Sequence, residues 1–521
     1  MLYKPTDVEI NLPTSLLPLC LPRTHPFLAN PNMGNRSATP IAQPQDPSLT
    51  LFSHHIIPSK VEILPSTFIH ANENRFDQMY KLGGLLGEGT HGEVRKCIHR
   101  DTRQVRAVKI FNRQVVHIEE EDITQELTLM KSIDHPNIVR VFEYFVDPRY
   151  VFVVMEHCQG GQLQGRITTQ LQFTERQVAL IMRQLFSAVV YMQDLRIVHR
   201  GISPEKILLE EKSEDVNIKL IDFGGSVRKK GALSEDEYRS IHYVAPELLT
   251  GDSEDLCDLW SCGVIMFVLL SGKVPFEGNS EAQIREKVIE GQFTTAGGLW
   301  NSVSNEAKNL IAAILQPTAK RINPTEALHH PWFARFNFDV HVPQDFVRTV
   351  LANVLRFHFS TKLQLAALTF ITTQLLSLQD TKDLREVFRL MDKNGDGRIS
   401  KTELVEVYRE TMPPSEAEKA VNHIMARADT DGSGFMDYSE FLRASIDIKT
   451  LLTEKLLAEV FSVFDRDGNG TITSQEIMSV LMGNTIEGGE EVWREVVQEV
   501  DRNGDGVVDI KEFREILLAK I

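Results

Sequence analysis

The spacing of apolar side chains changes along the chain and predicts different elements in different parts. Leu127, Met130 and Ile133 fall on one stripe of a helical wheel, which predicts a helix around them. Two further groups have helical spacing: Val350, Leu351, Val354 and Leu355, and then Leu363, Leu365, Ala366 and Leu368. The longest apolar run, Gly263–Leu270, is far too short to cross a bilayer. We therefore expect a buried helix there and no transmembrane segment.

Residues 1–75 show no sustained apolar period and hold 11 of the 22 prolines. Because proline lacks a backbone donor and disfavours helix in the residue before it, we predict a Pro-rich, largely disordered N-terminal extension. The apolar stretch Leu12–Leu21 could be taken for a signal peptide, but Pro13 and Pro18 interrupt it. Position 2 is Leu2 rather than glycine, so no N-myristoylation signal is expected.

The C-terminal part, residues 381–521, carries four acidic segments that begin 37, 36 and 36 residues apart, at Asp392, Asp429, Asp465 and Asp501. Each segment matches the twelve-residue loop of an EF-hand, with glycine at position 6 and glutamate at position 12. Such a loop supplies the six to eight oxygens that calcium, a hard cation, requires. A single segment could be an acidic turn, but four complete ones at a nearly fixed spacing predict four calcium sites.

The predicted calcium ligands occupy loop positions 1, 3, 5, 7, 9 and 12, with a main-chain carbonyl at position 7. They are Asp392, Asn394, Asp396, Arg398, Ser400 and Glu403; Asp429, Asp431, Ser433, Phe435, Asp437 and Glu440; Asp465, Asp467, Asn469, Thr471, Thr473 and Glu476; and Asp501, Asn503, Asp505, Val507, Asp509 and Glu512. Position 8 is apolar in every loop, which favours pairing of adjacent loops through Ile399, Met436, Ile472 and Val508. The region resembles calmodulin, which implies an all-α domain of four EF-hands.

Charge and cysteine content narrow the classes of partner. The chain has a net charge of −16, and residues 381–521 hold 29 acidic and 18 basic residues, a net charge of −11. This imbalance argues against nucleic acid and favours cations or basic peptides as partners. The five cysteines show no metal-ligand spacing and are too few for a disulfide framework, so we expect reduced thiols and a cytoplasmic location.

A second set of motifs lies between residues 80 and 333. It begins with Gly87-Glu88-Gly89-Thr90-His91-Gly92-Glu93-Val94, a glycine-rich pattern of the kind that covers the phosphates of ATP. Lys109 follows in a strand-like run, and Glu126 follows in a helical stretch. Asp222-Phe223-Gly224 and Ala245-Pro246-Glu247 come next. In this order the motifs resemble those of protein kinases, which implies an α/β two-lobed protein-kinase fold.

The resemblance implies a site for ATP and Mg²⁺ between the two lobes. The residues it implies for nucleotide binding are Gly87, Gly89, Gly92, Val94, Ala107, Lys109, Glu126, Glu156, Cys158 and Asp222. Glu156 and Cys158 belong to the segment that would hold adenine, and Lys109 would pair with Glu126. That ion pair could also have a purely structural role, because removing one partner of a buried ion pair destabilises the fold. Arg321 would pair with Glu247.

The order of the parts points to one family. A kinase-like domain (80–333), a helical junction (334–380) and a calmodulin-like domain (381–521) resemble the calcium-dependent protein kinases of plants and alveolate protists. The resemblance implies that the junction is autoinhibitory without calcium and that calcium opens the EF-hands, which pull the junction away. The expected partners are therefore calcium, ATP and the intramolecular junction helix; the sequence does not identify protein partners or substrates.

In the family, the catalytic loop has the sequence H-R-D-L-K-P-E-N. Three residues of this chain differ from that sequence. Gly201 stands where the family has the aspartate that accepts the substrate proton, and Lys206 where it has the asparagine that holds Mg²⁺. Ser203 replaces a lysine that relatives aim at the transferred phosphate. With no catalytic residue intact, we predict a calcium-sensing pseudokinase that serves as a calcium-switched docking or regulatory protein in signalling. The alternatives are a weakly active calcium-dependent Ser/Thr protein kinase and a calcium buffer, and the binding of ATP and Mg²⁺ stays open.

Overall fold

A computed structural model describes residues 63, 65–69, 72, 74–89, 92–113, 120–170, 173–213, 216–224, 226, 240–251, 255–338, 342–482 and 490–518. Most of the extension predicted to be disordered lies outside the described residues. Within it, Pro65–Phe68 forms a 3₁₀ helix. The ring of Phe68 packs edge-on against Phe370, with 5.4 Å between the centroids. This part of the extension is ordered because its apolar side chains meet a buried surface more than 300 residues further along the chain.

The smaller kinase lobe is built on an antiparallel sheet with the strand order β1-β2-β3-β5-β4. Its strands are β1 (Tyr80–Gly89), β2 (Gly92–His99), β3 (Val105–Asn112), β4 (Val141–Val146) and β5 (Tyr150–Met155), with helix α1 (Phe76–Met79) before the sheet and α2 (Glu120–Lys131) between β3 and β4. Val108 and Val154 are fully buried and stand opposite each other, which fixes the register of β3 against β5. Because side chains alternate along a strand, Lys109 then projects from the other face of the sheet.

The larger kinase lobe is mainly helical. Its elements are β6 (Gly161–Gln162), α3 (Leu163–Thr169), α4 (Glu175–Asp194), β7 (Ile207–Leu209), β8 (Ile218–Leu220), α5 (Pro246–Thr250), α6 (Cys257–Ser271), α7 (Glu281–Glu290), α8 (Asn305–Ile314) and α9 (Pro324–Leu328). Every residue of α6 is buried, so the buried helix predicted at Gly263–Leu270 is confirmed. No helix in the described part of the chain combines the length and apolar character needed to cross a bilayer.

Helices α10 (Gln344–Arg356) and α11 (Lys362–Phe370) form where the junction pattern predicted them. Thr361 begins α11 because its hydroxyl accepts the N–H of Gln364. All side chains from Lys362 to Thr369 are buried, and the chain continues as a π-helix, Ile371–Leu375. The junction is therefore an internal part of the C-terminal core rather than an exposed linker.

The EF-hand region surrounds the junction. It comprises α12 (Lys382–Met391), β9 (Ile399–Ser400), α13 (Lys401–Arg409), α14 (Pro414–Ala428), β10 (Phe435–Met436), α15 (Tyr438–Ser445), α16 (Ile448–Leu451), α17 (Glu454–Phe464), β11 (Thr471–Ile472), α18 (Ser474–Met482), α19 (Glu490–Val500), β12 (Val508–Asp509) and α20 (Ile510–Leu518). Strand β9 pairs with β10 and β11 with β12, so that Ile399 faces Met436 and Ile472 faces Val508. The predicted pairing of adjacent loops through their apolar position 8 is confirmed.

Buried charge links the kinase lobes to the EF-hand region. Arg385 on α12 donates to Glu210, just beyond β7, at 2.6 Å, and both side chains are no more than 2% exposed. Asp134 accepts the backbone N–H of Ser439 at 2.8 Å. Behind the cleft, the Arg106 guanidinium donates to the carbonyl of Gln374 in the π-helix. The first two contacts hold the EF-hand region against the kinase lobes, and the third holds the junction against strand β3.

Candidate functional site

A cavity of about 1250 Å³ lies between the kinase lobes. Nine of the ten predicted nucleotide residues line it, namely Gly87, Gly92, Val94, Ala107, Lys109, Glu126, Glu156, Cys158 and Asp222. Gly89, the tenth, pairs with Gly92 at the end of the β1–β2 hairpin. Apolar strand residues and ion-paired carboxylates thus share one cleft, a composition that suits a ligand with a flat apolar ring and an anionic end.

Lys109 is the centre of the polar end of the cavity. Its Nζ lies 3.1 Å from Glu126 Oε1 and 3.0 Å from Asp222 Oδ1, so the predicted pairing with Glu126 is present. Burial acts to lower the pKa of Lys109, but the Glu126 and Asp222 carboxylates outweigh it and raise the pKa above its usual value. The lysine is therefore held as a cation, ready to meet phosphate oxygens.

The side chain of Glu156 supports the hinge segment rather than the ligand. It forms a buried ion pair with Lys219 at 2.9 Å and accepts the backbone N–H of Arg140 at 3.2 Å. Burial raises its pKa, but Lys219 and Arg140 outweigh burial and lower the pKa below its usual value. At this position only the main chain is suited to meet an adenine ring.

The frame of the catalytic loop is intact. Asp258 accepts the backbone N–H groups of His199 at 2.7 Å and Arg200 at 2.8 Å. Burial raises the pKa of Asp258 to about 6, against the effect of these hydrogen bonds. Arg200 takes a left-handed conformation, with φ of 64°, which only a firmly held loop sustains in a non-glycine residue. The loop keeps its shape although its reactive side chains have changed.

Gly201 and Lys206 form one rearranged unit at the centre of this loop. The Nζ of Lys206 lies 3.3 Å from Asp222 Oδ2. A Cβ added to Gly201 would stand 2.7 Å from the same Nζ. The ammonium group therefore occupies the space next to position 201 that an aspartate side chain would need, and the loop lacks a proton acceptor there.

The buried ion pair of the larger lobe is present although the catalytic loop has changed. Arg321 and Glu247 form a two-bond ion pair in which Nη2 donates to Oε2 at 2.9 Å, and both side chains are at most 2% exposed. The pairing predicted from the sequence is therefore present. Since this buried pair stabilises the fold while the reactive positions have changed, the departures are confined to the active face.

The calcium loops are folded around their first and sixth residues. In each loop the glycine at position 6 has φ between 83° and 87°, a region that favours glycine. Its N–H donates to the aspartate at position 1, at distances of 2.9, 3.0, 2.9 and 2.7 Å for the pairs Gly397–Asp392, Gly434–Asp429, Gly470–Asp465 and Gly506–Asp501. The same turn therefore begins all four loops.

The glutamate at position 12 closes each loop. Glu403, for example, accepts the N–H groups of Asn394 at 3.0 Å and Ser400 at 2.8 Å. Glu440, Glu476 and Glu512 likewise accept the N–H of position 9 in their own loops, and each also accepts the N–H of position 2. In two loops the carboxylate oxygens of positions 1, 3 and 12 lie within 4.8 Å of one another, in the sets Asp429, Asp431, Glu440 and Asp465, Asp467, Glu476. An all-oxygen donor set of this kind fits calcium.

The remaining predicted ligands lie in the same loops. The position-7 residues, whose main-chain carbonyls are the predicted ligands, lie next to or within the short strands β9 to β12: Arg398, Phe435, Thr471 and Val507. The position-5 side chains accept backbone N–H groups within their own loops: Asp396, Ser433, Asn469 and Asp505. At position 9 the side chains of Ser400, Thr473 and Asp509 form hydrogen bonds within their loops, whereas Asp437 donates its backbone N–H to Glu440. The position-3 side chains Asn394, Asp467 and Asn503 also accept or donate within their loops.

Calcium binding is expected to release protons near pH 7. Burial raises the pKa of Asp392 to about 8 and that of Asp437 to about 8, and burial raises the pKa of Glu440 to about 7. Groups whose pKa is raised keep protons that calcium must displace, so calcium affinity falls as pH drops below about 8. Calorimetric titrations in buffers of different ionisation enthalpy count the released protons.

The matched comparison for proton release uses the fourth loop. There the N–H of Gly506 lowers the pKa of Asp501, so calcium is expected to bind that loop without displacing a proton from Asp501. Glu440→Gln should therefore remove much of the proton release, whereas Glu512→Gln should leave it nearly unchanged. A proton count that is the same at about pH 7 and about pH 9 would contradict the prediction.

Several contacting residues were not identified from the sequence. Arg398 was predicted only as a carbonyl ligand, yet its guanidinium pairs with Asp194 of α4 and lies 4.2 Å from the centre of the Phe435 ring. The ring of His135 packs directly against Gly397, so the first calcium loop is part of the contact with the kinase lobe. No local sequence pattern signals the contacts with the kinase lobe, because Asp194–Arg398 and His135–Gly397 are pairs more than 200 residues apart.

Known proteins share both parts of this architecture. Residues 80–333 match the protein kinase domain, and residues 381–446 and 454–518 match the EF-hand domain pair. Calcium-dependent protein kinase 4 of Plasmodium falciparum is 36% identical over 421 residues, covering 77% of this chain and 79% of that protein. Calcium-dependent protein kinase 3 of Plasmodium yoelii yoelii is 37% identical over 406 residues, covering 76% and 73%.

A third relative extends the same pattern. Calcium-dependent protein kinase 5 of Plasmodium falciparum is 33% identical over 399 residues, covering 75% of this chain and 69% of that protein. Each of these three matches covers at least 75% of this chain. The chain therefore belongs to the calcium-dependent protein kinase family.

Proposed function

We propose that this chain is a calcium-switched pseudokinase, which uses its kinase lobes as a docking surface rather than as a phosphotransferase. The observation that carries the proposal is the position of the Lys206 ammonium, 3.3 Å from Asp222 and next to Gly201. A kinase needs a proton acceptor at position 201 and a metal ligand at position 206. This chain has neither, whereas its structural ion pairs are retained.

Calcium is the input to this switch, at the four loops that begin with Asp392, Asp429, Asp465 and Asp501. Helix α11 is buried among the EF-hand helices, as a helical target is when opened EF-hand pairs bind it. The π-helix that follows α11 contacts Arg106 and Arg140 behind the cleft. Movement of the EF-hands would therefore alter the surface of the kinase lobes, where a signalling partner would bind.

The cytoplasm is the location we propose for this role. Calcium sensors respond to changes in concentration inside the cell, with affinities typically around 10⁻⁷ to 10⁻⁵ M. The four described cysteines are thiols rather than disulfides, which supports a reducing compartment: Cys97, Cys158, Cys257 and Cys262. Nucleotide binding in the cleft would serve as a second, structural input.

Hydrogen exchange of the junction tests the switch. We expect backbone amides of residues 344–375 to exchange more slowly with calcium than with a chelator, because calcium holds the EF-hands open around α11. Paired Glu403→Gln and Glu440→Gln substitutions, which remove position-12 ligands, should reduce the difference. Equal exchange in both conditions would exclude a switch and would favour the calcium-buffer alternative, since buffers barely open on binding.

The weakly active kinase remains the second candidate because one observation favours it. Lys109 contacts both Glu126 and Asp222, the arrangement that positions ATP phosphates in active kinases. Phosphate transfer depends largely on positioning and electrostatics, so a positioned nucleotide retains some reactivity. The lack of a group at position 201 that could orient the substrate hydroxyl favours the pseudokinase.

A further inference from the structure

The phosphate end of the cleft does not offer a magnesium site. Magnesium demands six oxygens in a near-octahedral shell at about 2.0–2.1 Å and is usually held by one or two carboxylates together with substrate phosphates. Here Asp222 is the carboxylate at the expected place, and both of its oxygens already face cations. Oδ1 lies 3.0 Å from Lys109 Nζ, and Oδ2 lies 3.3 Å from Lys206 Nζ.

The two lysines supply positive charge where a metal ion would otherwise stand. The side chains of Lys109, Lys206 and Asp222 are only 16%, 16% and 19% exposed, so water screens their charges weakly. An ammonium group carries three donors and can contact a carboxylate and a phosphate oxygen together. A divalent cation entering this space would meet both ammonium groups at short range, which disfavours its binding.

Gly201 and Lys206 are complementary changes rather than separate losses. An added Cβ at position 201 would come within 2.7 Å of Lys206 Nζ, so the glycine leaves the room that the ammonium occupies. Burial, followed by the charge of Lys206, lowers the pKa of neighbouring His199 to about 4, so this histidine adds no competing cation at neutral pH. The Lys206 ammonium group therefore fits the space that Gly201 leaves in the loop.

We infer that this cleft binds a nucleoside triphosphate without a divalent cation, with Lys206 in place of the metal. The inference rests on the proposed function, because it concerns the nucleotide that would occupy a catalytically silent site. Lys109 contacts the phosphate chain from the β3 side, and Lys206 contacts it from the catalytic loop. The nucleotide then serves as a ligand that holds the lobes together.

Calorimetric titration of the full chain with ATP tests this inference. Both arms contain EGTA, so that the loops are equally free of calcium; one arm adds EDTA and the other adds millimolar magnesium. The dissociation constants should agree within about threefold. Lys206→Asn should weaken binding in the EDTA arm by roughly tenfold or more, the effect of losing a charge-assisted hydrogen bond, and magnesium should restore part of it.

Two matched variants separate charge from structure. Lys206→Arg keeps the cation and should retain metal-free binding, whereas Lys320→Asn removes an exposed lysine that lies outside the cavity and should change nothing. Thermal unfolding of each variant checks that it is folded. Binding that requires magnesium, an unchanged Lys206→Asn variant in the EDTA arm, or no ATP binding in either arm overturns the inference.

These outcomes are separate from those of the proposed function. A protein that needs magnesium for ATP but transfers no phosphate would overturn the inference and leave the pseudokinase intact. A protein that transfers phosphate would overturn the pseudokinase, whatever its metal requirement for binding. The two failures are therefore distinguishable in the same preparation.

Discussion

Restoring three side chains in one variant, Gly201→Asp with Ser203→Lys and Lys206→Asn, is expected to raise calcium-dependent phosphate transfer to a basic Ser/Thr peptide by at least about 10²-fold. The variant regains a proton acceptor, a cation for the transferred phosphate and a metal ligand. The backbone that would position these three side chains is already in place, because Asp258 accepts two backbone N–H groups of the catalytic loop. Transfer from labelled ATP, measured with and without calcium, gives the rate.

Single substitutions are the controls for this gain. Gly201→Asp alone should stay nearly silent, because its carboxylate would form an ion pair with the Lys206 ammonium that already occupies the adjacent space. Lys206→Asn alone restores the metal ligand but leaves no proton acceptor. If the triple variant is folded, binds ATP and is still silent, the three substitutions do not account for the loss of activity.

Arg385→Ala is expected to weaken docking of the EF-hand region on the kinase lobe by about 3–5 kcal/mol. The substitution leaves Glu210 buried without its partner, and the 2.6 Å contact it removes lies between side chains that are at most 2% exposed. Amides of α12 (residues 382–391) should then exchange much faster. Native-state hydrogen exchange in these residues measures the free energy of opening.

A neighbouring ion pair provides the control for Arg385→Ala. Lys382 and Glu211 join the same two segments, but their side chains are 41% and 42% exposed. Because solvent screens such a pair, Lys382→Ala should change the free energy of opening by only about 0–1 kcal/mol. Equal effects of the two substitutions would mean that the buried pair is not what holds α12 to the kinase lobe.

The calcium loops show which features a sequence reveals well. All ligands of a loop fall within twelve consecutive residues, so their types and spacing determine the turn around Gly397 or Gly470 locally. The pairing of loops was predictable for the same reason, since one apolar position per loop meets its counterpart across two short strands. The junction helices followed from apolar spacing alone.

Local sequence patterns were not enough to predict the contacts in the nucleotide cleft. The contact of Lys109 with Glu126 was expected from resemblance to kinases, because 17 residues and a change of element separate the two side chains. The role of Glu156 as a partner of Lys219 was missed, since the motif identifies the hinge segment but not the direction of its side chain. The complementarity of Gly201 and Lys206 appears only when distances are measured.

Contacts between the domains had no signal in the sequence. Arg385 and Glu210 are 175 residues apart, and neither belongs to a recognised motif. The order of residues 65–69 was also missed, because the surface that buries Phe68 is formed by Phe370 and its neighbours. Such contacts depend on how whole domains pack, which no short pattern encodes.

The most direct test of a calcium-switched pseudokinase is phosphate transfer by the unsubstituted chain. Labelled ATP, magnesium and a basic Ser/Thr peptide are supplied with and without calcium, beside an Asp222→Ala variant that removes the carboxylate between the two lysines. A calcium-switched pseudokinase should show no transfer above that of Asp222→Ala in either condition. Calcium-stimulated transfer that Asp222→Ala abolishes would contradict it and would show that another group replaces the missing proton acceptor.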